Sequence, residues 1–358
     1  MLELPIPEVC NLGIVAEVQD FIYSEHRHHH AGMPLRYDAG MPTSFIRNES
    51  EKESFAKRLL GYLPLALKRH ILYVRRQRRW GNFRNPSLFT EKMQWRIIND
   101  RRELLRSSCD RRANRLTVQS SCNAAGLAIE LPALVAWGDT APEMLQELRR
   151  LHAEGRLPEK WVLKPNNSSG RVMVTEGNPD FALIETTLYA WTPKDRFHSL
   201  HWIWPYVSAQ PGFIAEGWAG PASAHPEEWT IWVAGGKPCF YGIQKRIEGL
   251  QAARGFFDGD WNDLGDLYSA IVQSPPIGMP SPPPHRAVMD EYATAIARNW
   301  DFLRVDLYWA DGKVWLSELT PFPWEGIPFM RNIRETIDIP IGKKWQLPSR
   351  ESARERNS

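Results

Sequence analysis

The apolar positions of this chain follow two periods, and the change between them divides it into helical and strand-forming stretches. Across residues 51–80, Phe55, Leu59, Leu60, Leu63, Leu65, Leu67, Ile71 and Leu72 recur at mixed three-to-four spacing, which predicts a helix ending in an arginine-rich run before Trp80. A second helix is predicted to run to about Asp100, capped by Ser87 or Thr90, and a third over residues 287–300. Strand patterns come in pairs. Residues 161–164 and 171–174 flank the polar loop 166–170, residues 212–218 lead through a Pro/Gly/Ala-rich loop into 228–233, and Gly235-Gly236 turns that strand back.

The strongest alternation lies over residues 302–320, a hairpin around Asp311-Gly312. A two-residue loop would put Asp306 and Glu318 on opposite faces. A three-residue loop, Ala310 to Gly312 with Gly312 left-handed and a G1 bulge, would put them on one. The alternation favours three. Arg304, Asp306, Glu318 and Thr320 then share a polar face, and Leu303, Val305, Leu307, Trp309, Trp315 and Leu319 form an apolar one.

With 358 residues the chain exceeds one small core, so two or three subdomains around a cleft are expected. A hydrophobic content of 43% and a charged content of 24% fit a soluble globular protein. Cys10, Cys109, Cys122 and Cys239 have no paired spacing, which argues against a disulfide framework or zinc site and for a reducing cytoplasm. Apolar runs stay below the ~18 residues of a membrane span, and the N-terminus carries acids where a secretion signal would be basic.

The net charge of +2 hides a basic block, because residues 68–115 hold 15 Lys/Arg against 4 acids. Such a segment could rest on an anionic membrane surface as a peripheral contact at its inner face. A packed helix with a solvated basic end is the commoner outcome. Nucleic acid is not an expected partner, since the aromatic residues do not recur at base-stacking spacing. Residues 1–50 read as an extension of unknown role, in which His26 and His28 to His30 are more simply surface than a metal site.

The run Arg304-x-Asp306, a short turn, then Glu318-x-Thr320 and the Pro/Gly loop 321–326 resembles the metal-binding end of the ATP-grasp superfamily, which includes D-alanine:D-alanine ligase. Upstream, Asn85-Pro86-x-x-Phe89-x-Glu91-Lys92-x-x-Trp95 resembles the opening of the TupA-like ATP-grasp proteins, a branch associated with teichuronopeptide and other cell-surface polysaccharide assembly. The similarity continues in order through Asp110-Arg111 and the blocks at Trp161, Glu216 and Arg254, over roughly residues 60–345. It implies an α+β ATP-grasp fold, with an N-terminal α/β subdomain and two lobes whose antiparallel sheets clasp ATP. The corresponding divisions are 1–50, 51–138, 139–212, 213–345 and a charged tail over 346–358.

The resemblance also implies a site. Asp306, Glu318 and Thr320 would hold one or two Mg²⁺ bridging the ATP phosphates; relatives usually carry Asn where this chain has Thr320, which keeps an oxygen donor. Lys164 would reach the phosphates, and Ser168, Ser169 and Gly170 would close over them as an anion-binding nest, a device distinct from a P-loop. Edge backbone at Ala215 and Glu216 would meet adenine, and Glu228 the ribose hydroxyls. Arg111 or Arg112 would neutralise the transferring phosphoryl group, and Arg304 the oxyanion formed on amine attack. Arg254, with Lys245 and Arg246, would lie at the acceptor site.

The implied activity is ATP-dependent ligation of a carboxylate to an amine through an acyl phosphate, with that substrate pair and ATP as partners. Two other readings stay open on sequence alone. One is a kinase acting on a glycan or small-molecule hydroxyl, and the other is a non-catalytic polysaccharide- or membrane-binding module using Arg75 to Arg115.

Overall fold

The computed structural model describes residues 63–168, 170–192, 203–221, 225–245, 253–265, 267, 276–327 and 333–354. The N-terminal extension with its histidines and Cys10, the start of the first predicted helix, Ser169 and Arg246 lie outside the described residues.

Among the described residues four helices come first: α1 (Leu65–Gln77), α2 (Phe89–Asn99), α3 (Glu103–Ser108) and α4 (Arg111–Asn123). Pro64 stands at the N-cap of α1, where its missing N–H costs nothing. Helix α2 departs from expectation, because neither Ser87 nor Thr90 caps it. Glu91 accepts from the N–H groups of Ser87 and Leu88, and Asp338, far along the chain, accepts from Thr90 N at 2.8 Å. Asp110 caps α4 through Arg112 N and Ala113 N.

Strand β1 (Leu134–Gly138) and helix α5 (Ala141–Ala153) follow, then β2 (Lys160–Pro165), β3 (Met173–Glu176), α6 (Phe181–Ala190), α7 (Trp204–Ser208) and β4 (Phe213–Gly217). These strands form an antiparallel sheet in the order β1-β4-β2-β3. It draws one strand from before residue 139 and one from after 212, so the expected lobe boundaries cut through it. Strand period two sends Trp161, Leu163, Phe213 and Ala215 to one side, where Met144 and Leu148 of α5 and Ile184 and Leu188 of α6 bury them. Lys160, Val162, Lys164, Ile214 and Glu216 take the other side.

The second sheet holds β5 (Glu227–Ala234), β6 (Lys237–Lys245), β7 (Ala253–Asp258), β8 (Phe302–Ala310) and β9 (Lys313–Thr320), in the order β7-β6-β5-β8-β9. Helix α8 (Arg286–Ile296), expected at 287–300, packs on β5, β6 and β8. Phe89 of α2 inserts among Trp232, Phe302 and Trp345, with ring centroids 4.9, 5.2 and 5.8 Å away.

The β8–β9 hairpin corrects the expected loop. Ala310 pairs with Lys313, so the turn holds two residues, Asp311 (φ 53°) and Gly312 (φ 68°), both left-handed as a type I′ turn requires. The ladder then slips by one. Leu307 faces Leu316 while Asp306 faces Glu318, leaving Ser317 as a bulge. Asp306 and Glu318 therefore do share a face, but the extra residue sits beside them and not in the turn. Trp315 moves accordingly to the Tyr308 side, and Val314 and Leu316 are the buried residues at that end.

Much of the basic block is packed, while Arg78, Arg84, Arg106 and Arg112 are exposed. Arg69 is fully buried and donates to Gln94 and the Glu325 carbonyl; Arg79 meets Glu91 and Asp338; Arg96 and Arg102 both meet Asp301. Its partners are acids of the block itself, Glu91, Asp100 and Glu103, joined by Asp301 and Asp338 from far along the chain, so local composition overstated the charge left for an external partner. Helix α9 (Ile339–Lys344) leads to a fully buried Trp345, and the expected tail beyond it is partly core: Ala353 is fully buried and its carbonyl accepts from Arg101 N. Cys109, Cys122 and Cys239 are buried and free. No helix among the described residues is long and apolar enough to cross a membrane.

Candidate active site

Period two along five adjacent strands sets up one polar face on the larger sheet. Register places Arg254 of β7 across from Gln244 of β6, Gln244 across from Glu228 of β5, and Thr230 across from Asp306 of β8. Asp306 in turn faces Glu318, and Arg304 faces Thr320 on β9. Arg254 donates to Gln244 Oε1 at 2.6 Å. Arg304 Nε lies 3.0 and 3.1 Å from the two Asp306 oxygens, and its Nη2 closes the fork.

These acids crowd one another. Burial pushes the Asp306 carboxyl above its usual range, with Arg304 opposing and Glu318 adding to the shift. Burial, then the Asp306 charge, lifts Glu228 to about 7, against the pull of Arg304 and Arg254. The expected ribose acid thus sits one strand from Asp306, in the same electrostatic group.

Facing Glu318 is a pocket whose lining includes Arg111, Arg115, Ser168, Tyr206 and Glu216. Lys164 Nζ is 3.0 Å and Arg115 Nη1 2.6 Å from the Glu216 carboxylate. Burial raises that carboxyl, but Lys164, Arg115 and Arg111 outweigh it and bring it below its usual range. Arg111 Nε donates to the Pro165 carbonyl at 3.2 Å, and Nη2 to the Ser168 carbonyl at 2.9 Å; Nη2 also stands 3.2 Å from Glu318.

The expected residues are therefore brought together unevenly. Arg111 and Ser168 line one pocket with Glu216 and Glu318, and Lys164 is tied to it through Glu216; Asp306, Thr320, Arg304, Glu228 and Arg254 are not in its lining. Gly170 sits just beyond, at φ 76°, a conformation its missing side chain permits. Ala215 does not join: its side chain lies in the core under α5 and α6. Strand β4 is bonded on both sides, to β1 and β2, so Ala215 and Glu216 present no open backbone edge for adenine. Arg112 lies over the Trp137 ring at 4.9 Å, and Lys245 approaches Glu227 at 3.7 Å on the other face. Arg115 was not singled out from sequence, although its four-residue spacing from Arg111 on a helix puts the two on one face.

The donor set suits a hard cation. Asp306, Glu318 and Thr320 offer only oxygens, and the Thr320 hydroxyl is buried without a hydrogen-bond partner, as a group awaiting an ion would be. Among the described residues no three His, Cys, Asp or Glu side chains gather as a metal cluster.

A family model described as TupA-like ATPgrasp matches residues 91–344. The chain belongs to the TupA-like ATP-grasp family. Its fold is accordingly the ATP-grasp α+β fold, with the two antiparallel sheets on either side of the pocket. No curated protein sequence matches. Among solved structures, the ATP-grasp ligase PsnB with a phosphomimetic precursor variant, Mg and ADP is 12% identical, with TM-score 0.36, over 67% of this chain and 57% of that one. D-alanine–D-alanine ligase from Bacillus anthracis is 18% identical, with TM-score 0.34, over 60% of this chain and 56% of its own. D-cycloserine synthetase DcsG is 15% identical, with TM-score 0.34, over 67% and 70%. The TupA-like chain thus spans little more than half the length of the first two, and likenesses this low fix neither activity nor substrate.

Proposed function

We propose that this protein joins a carboxylate to an amine in an ATP-driven reaction that passes through an acyl phosphate. The observation that carries the reading is the direct opposition of Asp306 and Glu318 on a polar sheet face, with Arg111 across the pocket from Glu318 and Lys164 paired to Glu216 of the pocket lining. Asp306, Glu318 and Thr320 would hold Mg²⁺, which supplies charge compensation for the phosphate oxygens. Lys164 and Arg111 meet the triphosphate, with the Ser168 hydroxyl and the backbone up to Gly170 closing over it. Glu228 accepts from the ribose hydroxyls. Glu216, in place of an adenine contact, orients Lys164 and Arg115.

Phosphoryl transfer here is chiefly positioning and charge neutralisation, so no nucleophilic side chain is required. The substrate carboxylate takes the γ-phosphoryl group, the amine then attacks the acyl carbon, and phosphate leaves. Arg304 stands ready for the oxyanion of that second step, and Arg254 with Gln244 for the acceptor. Family membership points to a substrate from cell-surface polysaccharide or peptide assembly.

Incubation with ATP, Mg²⁺, hydroxylamine and candidate uronates, amino acids or peptides tests the reading. An acid-dependent hydroxamate with equal ADP supports it. A stable phosphorylated hydroxyl product without hydroxamate would establish a kinase instead.

A further inference from the structure

Tyr206 lines the same pocket as Arg111 and Glu318, and nothing in the proposed chemistry uses it. Contacts from three other parts of the chain fix its place. Trp204 Nε1 donates to the Asp100 carbonyl at 3.0 Å, which anchors the short helix α7 at the end of α2. Tyr206 O accepts from Asn167 Nδ2 at 3.1 Å, on the loop after β2, and the phenol ring packs 6.3 Å from that of Phe322, on the loop after β9.

The residue is buried, and its hydroxyl is within hydrogen-bonding reach of the Cys109 sulfur. A neutral thiol is a weak acceptor. Burying a hydroxyl against such a partner costs free energy that phenylalanine, with the same ring, would not incur. The surrounding charges decide what the hydroxyl can serve. Burial holds the phenol well above its usual range, with Cys109 and Glu318 adding to the shift and Arg304 and Arg111 opposing it, so the proton stays on. The group is a hydrogen-bond donor set among a carboxylate and two guanidinium groups.

On the proposed reading Glu318 holds the metal, Arg111 meets the triphosphate and Arg304 serves the acyl centre. A donor among these three lies where the terminal phosphoryl group passes from nucleotide to carboxylate. We propose that the Tyr206 hydroxyl is a further contact of the γ-phosphoryl group, exchanging the Cys109 sulfur for a phosphoryl oxygen when ATP binds. A hydrogen bond to an anionic oxygen is roughly twice as strong as one between neutral groups, so the exchange is favourable. Such a contact favours nucleotides that carry a third phosphate. This inference rests on the metal–nucleotide reading above.

The test titrates the full chain by calorimetry in Mg²⁺, with a non-hydrolysable ATP analogue and, separately, with ADP. Tyr206→Phe keeps the ring against Phe322 and removes only the hydroxyl. It should bind the analogue about tenfold more weakly than wild type, as the loss of one hydrogen bond to a charged group predicts, and ADP within about twofold of wild type. A merely structural role lowers both affinities together or neither, so the ratio of the two is diagnostic.

An unchanged analogue affinity, or an equal fall for ADP, overturns the contact. Should Tyr206→Phe fail to fold, 4-fluorophenylalanine at position 206 fills the hydroxyl's volume with no proton to donate and is judged by the same ratio. A wild-type chain that binds neither nucleotide overturns the underlying site reading, and the contact with it.

Discussion

Asp306 stands directly across the ladder from Glu318, and Ser317 is the residue that makes this so. In a regular ladder continued from the Asp311-Gly312 turn, Ser317 would face Asp306, and Glu318 would face Val305 on the buried side. The bulge lets Ser317 drop out of the count. Its deletion should therefore keep the two acids opposed, whereas deletion of Gly312 destroys the type I′ turn. Analogue calorimetry in Mg²⁺ should find binding retained in the first deletion and lost in the second; the reverse order would refute the bulge.

The charge of each acid is expected to matter more than its volume. Asp306→Asn and Glu318→Gln should lower ADP formation by about 100-fold or more, since each removes one ionic ligand from a hard-cation site. Far-ultraviolet circular dichroism of both variants should match wild type. Turnover within a few-fold of wild type in either variant would remove that residue from the metal site.

Glu228 supplies the pH signature. Its carboxyl is raised from 4.5 to about 7 in the folded protein, so between those values the folded state binds the extra proton. Stability from this group therefore falls as pH rises through that window, and the penalty is full above about 7. Glu228→Gln should raise Tm more at pH 8 than at pH 5. The ionised form is also the better acceptor of ribose hydroxyls, so nucleotide affinity of the wild type should rise across the same window and be flatter in the variant. Equal Tm gains at both pH values would place the raised carboxyl elsewhere.

Phe89→Ala probes the architecture under the site. The ring is fully enclosed by Trp232, Phe302 and Trp345, and its removal should cost about 3–5 kcal/mol of stability through lost burial and a residual cavity. Urea unfolding should show a lower midpoint with an unchanged slope. A loss below 1 kcal/mol would mean that the neighbouring rings collapse into the space.

Local signals were legible in the sequence wherever a pattern and its partner lie close together. The hairpin around Asp311-Gly312, the strand–loop–strand at Lys164 and helix α8 are of this kind. The shared face of Asp306 and Glu318 was reached through the wrong loop, because alternation reports that one residue is supernumerary without reporting where it bulges. Strand β4 read as an edge because nothing local announces that Leu134–Gly138 returns to cover it. The arginines of residues 68–115 looked available for the same reason: Asp301, Glu318 and Asp338, which neutralise them, lie some 200 or more residues away.

Lys92 donates to the carbonyl of Gly342, 250 residues downstream, and Thr90 N to Asp338, 248 downstream. Helix α2 is thus made early and docked late. At about 5–20 residues per second of synthesis, it waits roughly 12–50 s before its C-terminal partners exist. Through that interval Phe89, Met93, Trp95 and Ile97, all buried in the finished protein, have no C-terminal segment to cover them. The nascent chain should accordingly depend on a holding chaperone until residues 338–345 leave the ribosome, and truncation before Trp345 should leave the earlier elements made but unassembled.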